Sequence, residues 1–207
     1  MKKFIVEIIG FFKSDQKGSV SVEAVFAFPM LFWAATATFT FFDAYKVQNT
    51  SYRANYTISD MLSRETVPVN QAYIDGLHKV FRYMTYTGSE NSWIRVSVVT
   101  CTANCADEVN RDLEFKWSEA ANGARSLDAA DLVFYRSQIP LMAKGSQLIL
   151  VETSREYKPP FANALVSFAE RDLVSHVVTR PRFAANFCFD TCVVGGGTDA
   201  GDGTGTI

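Results

Sequence analysis

The sequence predicts an α+β protein, in which a long N-terminal transmembrane and stem helix precedes a small domain of helices and an antiparallel sheet. An uncharged apolar run occupies residues 24–42, and small residues recur at helical spacing behind it. Segments that alternate apolar and polar residues follow only after residue 90. A long helix followed by strands favours segregated α and β elements over repeated βα units.

The apolar run is long enough to cross a membrane. Its 19 uncharged residues follow directly on Glu23, the one ionisable residue of the predicted span, residues 19–42. At about 1.5 Å per residue, such a helix matches a hydrocarbon core of about 30 Å. Ala35-Thr36-Ala37 could instead serve as the cleavage site of a secretory signal, but the apolar run continues beyond it, which favours an anchor.

Charge indicates the orientation and excludes one class of partner. Residues 1–18 carry a net +2, which leaves −4 for residues 19–207 out of the whole-chain −2. By the positive-inside rule, residues 1–18 form a cytoplasmic leader, and the chain that follows the single predicted span is exported. A mildly acidic domain without a run of Lys and Arg argues against a nucleic-acid partner.

The exported part divides into a stem, a domain and a tail. A helical stem is predicted over 43–66, with a seam of Ala44, Val47, Ser51, Ala54, Ile58 and Met61, ending before Pro68. An α+β domain follows over 67–194, with a helix capped by Asn70, a helix over 127–138 capped by Ser126, and a helix over 161–171. Strands are predicted over 94–98, 113–117, 147–152 and 173–180. The Gly-rich residues 195–207 are predicted to be a flexible tail.

Four cysteines form two C-x3-C pairs in the exported domain: Cys101 with Cys105, and Cys188 with Cys192. An even number of cysteines in an oxidising compartment favours disulfides. Two local bridges are the simplest of three pairings, and two long-range bridges would instead join the first strand to the C-terminal segment. A zinc site is less favoured, because structural zinc sites usually have C-x2-C spacing.

Nothing in the sequence indicates catalysis. Catalytic Ser, zinc-protease and phosphate-loop motifs are absent, and no cofactor or metal is expected. Of the two histidines, His78 falls on the second predicted helix and His176 in the last predicted strand, positions where a structural role is expected. We therefore expect that the protein is not an enzyme.

Residues Gly18-Ser-Val-Ser-Val-Glu23 join the basic leader to the apolar run, which reaches Pro29 after a further six residues. This G-x4-E opening resembles the processing site of type IV pilin-like precursors, and the wider pattern resembles the TadE/TadF pseudopilins of tight-adherence (Flp) pilus systems. The resemblance implies cleavage by a prepilin peptidase between Gly18 and Ser19. Ala24 departs from the family pattern, because Flp pilins usually place an aromatic residue there.

The resemblance also implies a role for Glu23 and a set of partners. In processed pilin-like proteins this acid pairs with the N-terminal amine of a neighbouring subunit. A carboxylate inside a bilayer is costly without a partner, although Glu23 could also reach water at the interface. The implied function is a minor pseudopilin in pilus assembly, anchored by a single pass in the bacterial inner membrane with its main domain in the periplasm. The implied partners are pilin-like subunits, the Tad inner-membrane machinery, the prepilin peptidase and the lipid bilayer. A membrane-anchored periplasmic domain that binds a ligand or envelope component is the alternative.

Overall fold

The structure is a computed structural model and describes residues 19–87, 92–161, 170–184 and 186–191. It confirms the α+β class, with a long apolar N-terminal helix before a domain of helices and an antiparallel sheet. The helices are α1 (Ser19–Arg64), α2 (Gln71–Thr85) and α3 (Leu132–Tyr135), with a 3₁₀ turn at Ala129–Asp131. The strands are β1 (Ser92–Ala103), β2 (Asp112–Ala121), β3 (Gln147–Tyr157) and β4 (Arg171–Thr179). The leader and the tail, 195–207, lie outside the described residues.

The described residues fall into two compact units. The first contains the part of α1 up to Val47 and the described residues between Tyr157 and Arg171. The second contains the rest of α1, helix α2, nearly the whole sheet and the C-terminal segment. The residues of the predicted stem are thus divided between the two units.

The sheet has the strand order β2-β1-β3-β4, and β1 runs antiparallel to both of its neighbours. One face carries Ile94, Val96 and Val98, which pack with buried residues of α1 and α2 in the first hydrophobic cluster. The other face carries Val99 and Cys101, which pack with apolar residues between β2 and β3 in a second cluster. Strand β1 is therefore buried on both faces, whereas its alternation predicted burial on one.

The predicted features of α1 and α2 are largely present. Helix α1 ends at Arg64, two residues before the predicted end of the stem, and Asn70 caps α2 by accepting a hydrogen bond from the Tyr73 amide at 2.9 Å. The predicted seam is buried at Ala44, Ser51, Ala54 and Ile58. Met61 was assigned wrongly: its side chain is 40% exposed, and Leu62 takes the buried position.

The helix predicted over 127–138 is wrong in extent and in its cap. Its first residues do not start a helix, because the Leu127 amide donates to Ser118 Oγ at 2.9 Å. The turn begins instead after Asp128, whose amide donates to the Asp131 carboxylate at 3.0 Å. At the far end Pro140 has no amide for the Arg136 carbonyl, which accepts instead from the buried guanidinium of Arg111.

The helix predicted over 161–171 lies mostly outside the described residues. Its last residue, Arg171, is the first residue of β4. The C-terminal segment follows β4 and pairs with the loop after α1, through a parallel bridge between Val69 and Phe189. Trp117 packs against Phe187 and Phe189, with ring centroids 5.5 and 5.4 Å apart. This segment was not predicted to join the core.

Candidate functional site: the exposed apolar segment of α1

The N-terminal part of α1 exposes an unusual amount of apolar surface. Eleven large apolar side chains between residues 22 and 42 are more than half exposed: Val22, Val25, Phe26, Phe28, Met30, Leu31, Phe32, Trp33, Phe39, Phe41 and Phe42. We call this stretch of α1, residues 21–42, the apolar segment. Contiguous apolar surface of this extent is covered by lipid or by another protein in a stable molecule.

The length and composition of α1 satisfy the requirements for a membrane span. Among the described residues it is the one helix long and apolar enough to cross a bilayer, and only 11% of its most apolar window is buried. A core helix of a soluble protein would be mostly buried, so this exposure favours a lipid environment. Pro29 lies inside the helix without ending it. This supports the coarser part of the localisation prediction, a single candidate span near the N-terminus.

The three threonines of the apolar segment form side-chain hydrogen bonds within the helix. Thr36 Oγ1 donates to the carbonyls of Phe32 and Trp33 at 3.1 and 2.9 Å. Thr38 and Thr40 donate to carbonyls one turn back, each at 2.8 Å. Threonine hydroxyls that bond back to the preceding turn need no water. The alternating Ala and Thr residues are therefore compatible with a hydrocarbon environment.

Glu23 is the one acidic residue of the apolar segment. Its side chain is exposed and lies among exposed apolar neighbours such as Val22 and Phe26. Within the described residues no cation lies close enough to form an ion pair with it. Ser19 is the first residue of α1, and Gly18 lies outside the described residues, so the predicted cleavage between them stays a prediction.

A polar contact marks the C-terminal end of the apolar segment. Asp43 follows Phe42 directly, and its carboxylate accepts a hydrogen bond from the Tyr157 hydroxyl at 3.1 Å. Burial, with a further contribution from Asp43, raises the pKa of Tyr157 to about 12. The hydroxyl therefore stays protonated and can donate throughout the physiological range. Sequence reasoning missed this pair, because the two residues lie 114 positions apart in the chain and no local pattern joins them.

The cysteines of the first C-x3-C pair are bonded to each other. Cys101, near the end of β1, forms a disulfide with Cys105, which agrees with the predicted local bridge within this pair. This bond excludes the long-range bridges and the zinc site in which these two thiols would take part. Cys188 is also in a disulfide, and Cys192 lies outside the described residues.

The two histidines occupy structural and surface positions. His78 is buried in α2, and its Nε2 donates to the Ser92 carbonyl at 3.0 Å, which places the ring proton on Nε2. His176 is exposed on β4. In the described part of the chain no group of three or more His, Cys, Asp or Glu residues could hold a metal ion.

Comparisons with models of protein families, with curated proteins and with solved structures find no match for this chain.

Proposed function

We propose that this protein is a minor pilin-like subunit of a Tad-type adhesion pilus, in which the apolar segment first anchors the chain in the inner membrane and then packs among the helices of other subunits. The observation that carries the proposal is the eleven exposed apolar side chains of the apolar segment, with Glu23 near its start. Such a surface is stable in lipid and equally stable in a bundle of apolar helices. A polymer subunit has to pass between these two environments.

Glu23 distinguishes polymer entry from simple anchoring. It lies four positions after Ser19, the residue that cleavage would make N-terminal, and it has no ion-pair partner in the described part of the chain. The N-terminal amine that cleavage creates on a neighbouring subunit would neutralise this carboxylate. The attraction between the two charges becomes stronger as water is excluded from around them. We propose that this pairing sets the stagger between subunits. A membrane anchor that carries a periplasmic binding domain would need neither cleavage nor this acid.

The first test is the N-terminal residue of the full chain, measured as intact mass after membrane extraction. Cells with and without a prepilin peptidase are compared. We expect a chain that starts at Ser19 only when the peptidase is present. A start at Met1 in both cells would favour the alternative, a membrane-anchored periplasmic domain outside any polymer. A start at Thr38 would identify a cleaved secretory signal.

The second test is complementation of a strain that lacks this protein in a Tad-piliated host. We expect Glu23→Leu and Glu23→Gln to reduce pilus number at least tenfold, while Glu108→Gln, which removes an exposed acid from a loop, has no effect. Immunoblots of the membrane fraction confirm equal amounts of each variant. Full piliation by Glu23→Leu would contradict the charge-pairing mechanism.

A further inference from the structure

The second compact unit contains a surface depression beside the Cys101–Cys105 disulfide. Its lining includes Thr102 of β1, Lys116 of β2, Gln147 at the start of β3, Lys144 from the turn before β3, and Asn186 of the C-terminal segment. Four separate pieces of chain thus contribute polar side chains to one place. The depression is remote in sequence from the apolar segment, and nothing in the proposed pilin function uses it.

Two β-bulges direct side chains into this depression. Opposite Val98 and Val99, strand β2 has one extra residue, Lys116, between the paired Phe115 and Trp117. Further along, Thr102 is the extra residue of β1. A bulge turns one side chain out of the regular alternation, and bulges are frequent beside binding sites for this reason. Here the extra residues of two successive bulges both line the same depression.

The depression is rich in hydrogen-bond donors. The Gln147 Oε1 accepts from the Phe187 amide at 2.7 Å, so the amide nitrogen of Gln147 remains as a donor. Lys116 forms one ion pair, at 3.2 Å to the exposed Glu114. For Lys144, no carboxylate of the described residues lies within ion-pair distance. Two ammonium groups and two side-chain amides, with Glu114 as the one ion-pair partner among the described residues, favour an anion.

A disulfide and hydrogen bonds between neighbouring segments fix the backbone that surrounds these donors. The disulfide closes the loop after Cys101, and the Cys101 carbonyl accepts from the Gly145 amide at 2.9 Å. Thr100 Oγ1 donates to the Ser146 carbonyl, also at 2.9 Å. Gly145 has φ of 76°, a conformation that glycine adopts without strain, and this turn places Lys144 at the rim. The donors are therefore presented from fixed backbone positions, which lowers the entropy cost of binding.

We infer that this depression binds an anionic oxygen group, a carboxylate or a phosphate, carried by a soluble ligand on the outer side of the membrane. Lys116 and Lys144 supply the charge. The side-chain amides of Gln147 and Asn186 supply directional hydrogen bonds. The inference does not depend on the pilin proposal, because an anchored periplasmic domain would present the same site.

The test uses the full chain, labelled with ¹⁵N, in uncharged detergent micelles. Glucuronate and inorganic phosphate are titrated separately, with glucose as a neutral control, and the amide shifts of Thr102, Lys144 and Gly145 are followed. We expect saturable shifts with at least one of the anions and none with glucose. The anion that binds with the higher affinity shows whether the depression prefers a carboxylate or a phosphate.

Variants decide whether the binding belongs to this depression. We expect Lys144→Gln to lower the affinity for the anion at least fivefold. We expect the double variant K116Q/K144Q to abolish saturable binding. Lys79→Gln, which removes an exposed lysine from α2, is the matched control and leaves the affinity unchanged. Absence of saturable shifts with both anions, equal affinity in Lys144→Gln, or an equal response to glucose would each overturn the inference.

Discussion

Arg95 and Glu152 form the least exposed ion pair among the described residues. Their side chains are 10% and 5% exposed, and Nε lies 2.8 Å from Oε2. Arg95 also donates to the Arg125 carbonyl and to the Tyr135 hydroxyl, which donates in turn to Glu152, each at 2.8 Å. Burial, and then Glu152, raises the pKa of Tyr135 to about 12. The pair therefore connects neighbouring strands to α3 through a network in which each charge has several partners.

Removal of one member of this pair should be costly, because the other charge would stay buried without its partner. We expect Glu152→Ala to lower the free energy of unfolding by about 3–5 kcal/mol. The exposed pair of Arg64 and Asp60 is the control, since Arg64→Ala should cost about 0.5 kcal/mol. Both are measured by urea denaturation of the full chain in micelles, followed by near-UV circular dichroism. Equal effects of the two variants would contradict the role of burial.

His78 should make stability depend on pH. In the folded state the pKa of His78 lies below the ordinary 6.5, mainly because the side chain is buried. The hydrogen bond to the Ser92 carbonyl raises the pKa, but by less than burial lowers it. The unfolded chain therefore takes up a proton first, so stability is lost as the pH falls from about 6.5 toward the folded pKa of His78. His78→Phe should flatten this part of the profile of unfolding free energy against pH. An unchanged slope in that variant would assign the dependence to other groups.

At the scale of elements, α1 packs on the sheet through a face that is partly polar. Within the second unit its buried residues include Ala54 and Ile58, but also Asn55 and Ser59. Asn55 Nδ2 donates to the carbonyl of Ser175 at 3.1 Å. The Ser59 hydroxyl is buried, and no described residue forms a hydrogen bond with it. This face is therefore less stable than an apolar one of the same shape would be.

Ser59→Ala should stabilise the protein, because it removes a buried unsatisfied hydroxyl and introduces the best helix former. We expect the free energy of unfolding to rise by about 1 kcal/mol. Thr57→Ala, on the exposed side of α1, is the control, and its effect should stay within about 0.5 kcal/mol. The measurement is again urea denaturation in micelles. A loss of stability in Ser59→Ala would mean that the hydroxyl has a partner in solution.

The elements that could be predicted from the sequence are those with a strong local signal. The uncharged run, the Asn70 cap and the alternation around Val96 each depend on neighbours in the chain. The bulge at Lys116 could not be predicted, because it exists only in the register between β1 and β2. The helix over 127–138 was wrong for a similar reason. Its carbonyls and amides bond to residues distant in sequence, Arg111 and Ser118, instead of to one another.

At the scale of the whole molecule, apolar surface is concentrated in the apolar segment of α1. The protein should therefore remain in the membrane fraction after alkaline carbonate extraction. The double variant Phe28→Lys, Phe32→Lys should appear in the soluble or aggregated fraction, because each central lysine costs about 2.5–3.5 kcal/mol of insertion. Phe183→Lys, at an exposed phenylalanine of the second unit, is the matched control. Membrane retention of the double variant would contradict a bilayer-spanning segment.

The C-terminal segment sets a limit on when folding can finish. Phe187 is 2% exposed in the same cluster as Ala54, and the Val69 amide donates to the Cys188 carbonyl at 3.0 Å. The core thus joins residues more than 130 positions apart, and contacts of such sequence separation form late and slowly. A chain that is synthesised from its N-terminus cannot close this core until about residue 190 has been made. During that interval Trp117 lacks its final partners, so the emerging chain has to be kept from aggregation.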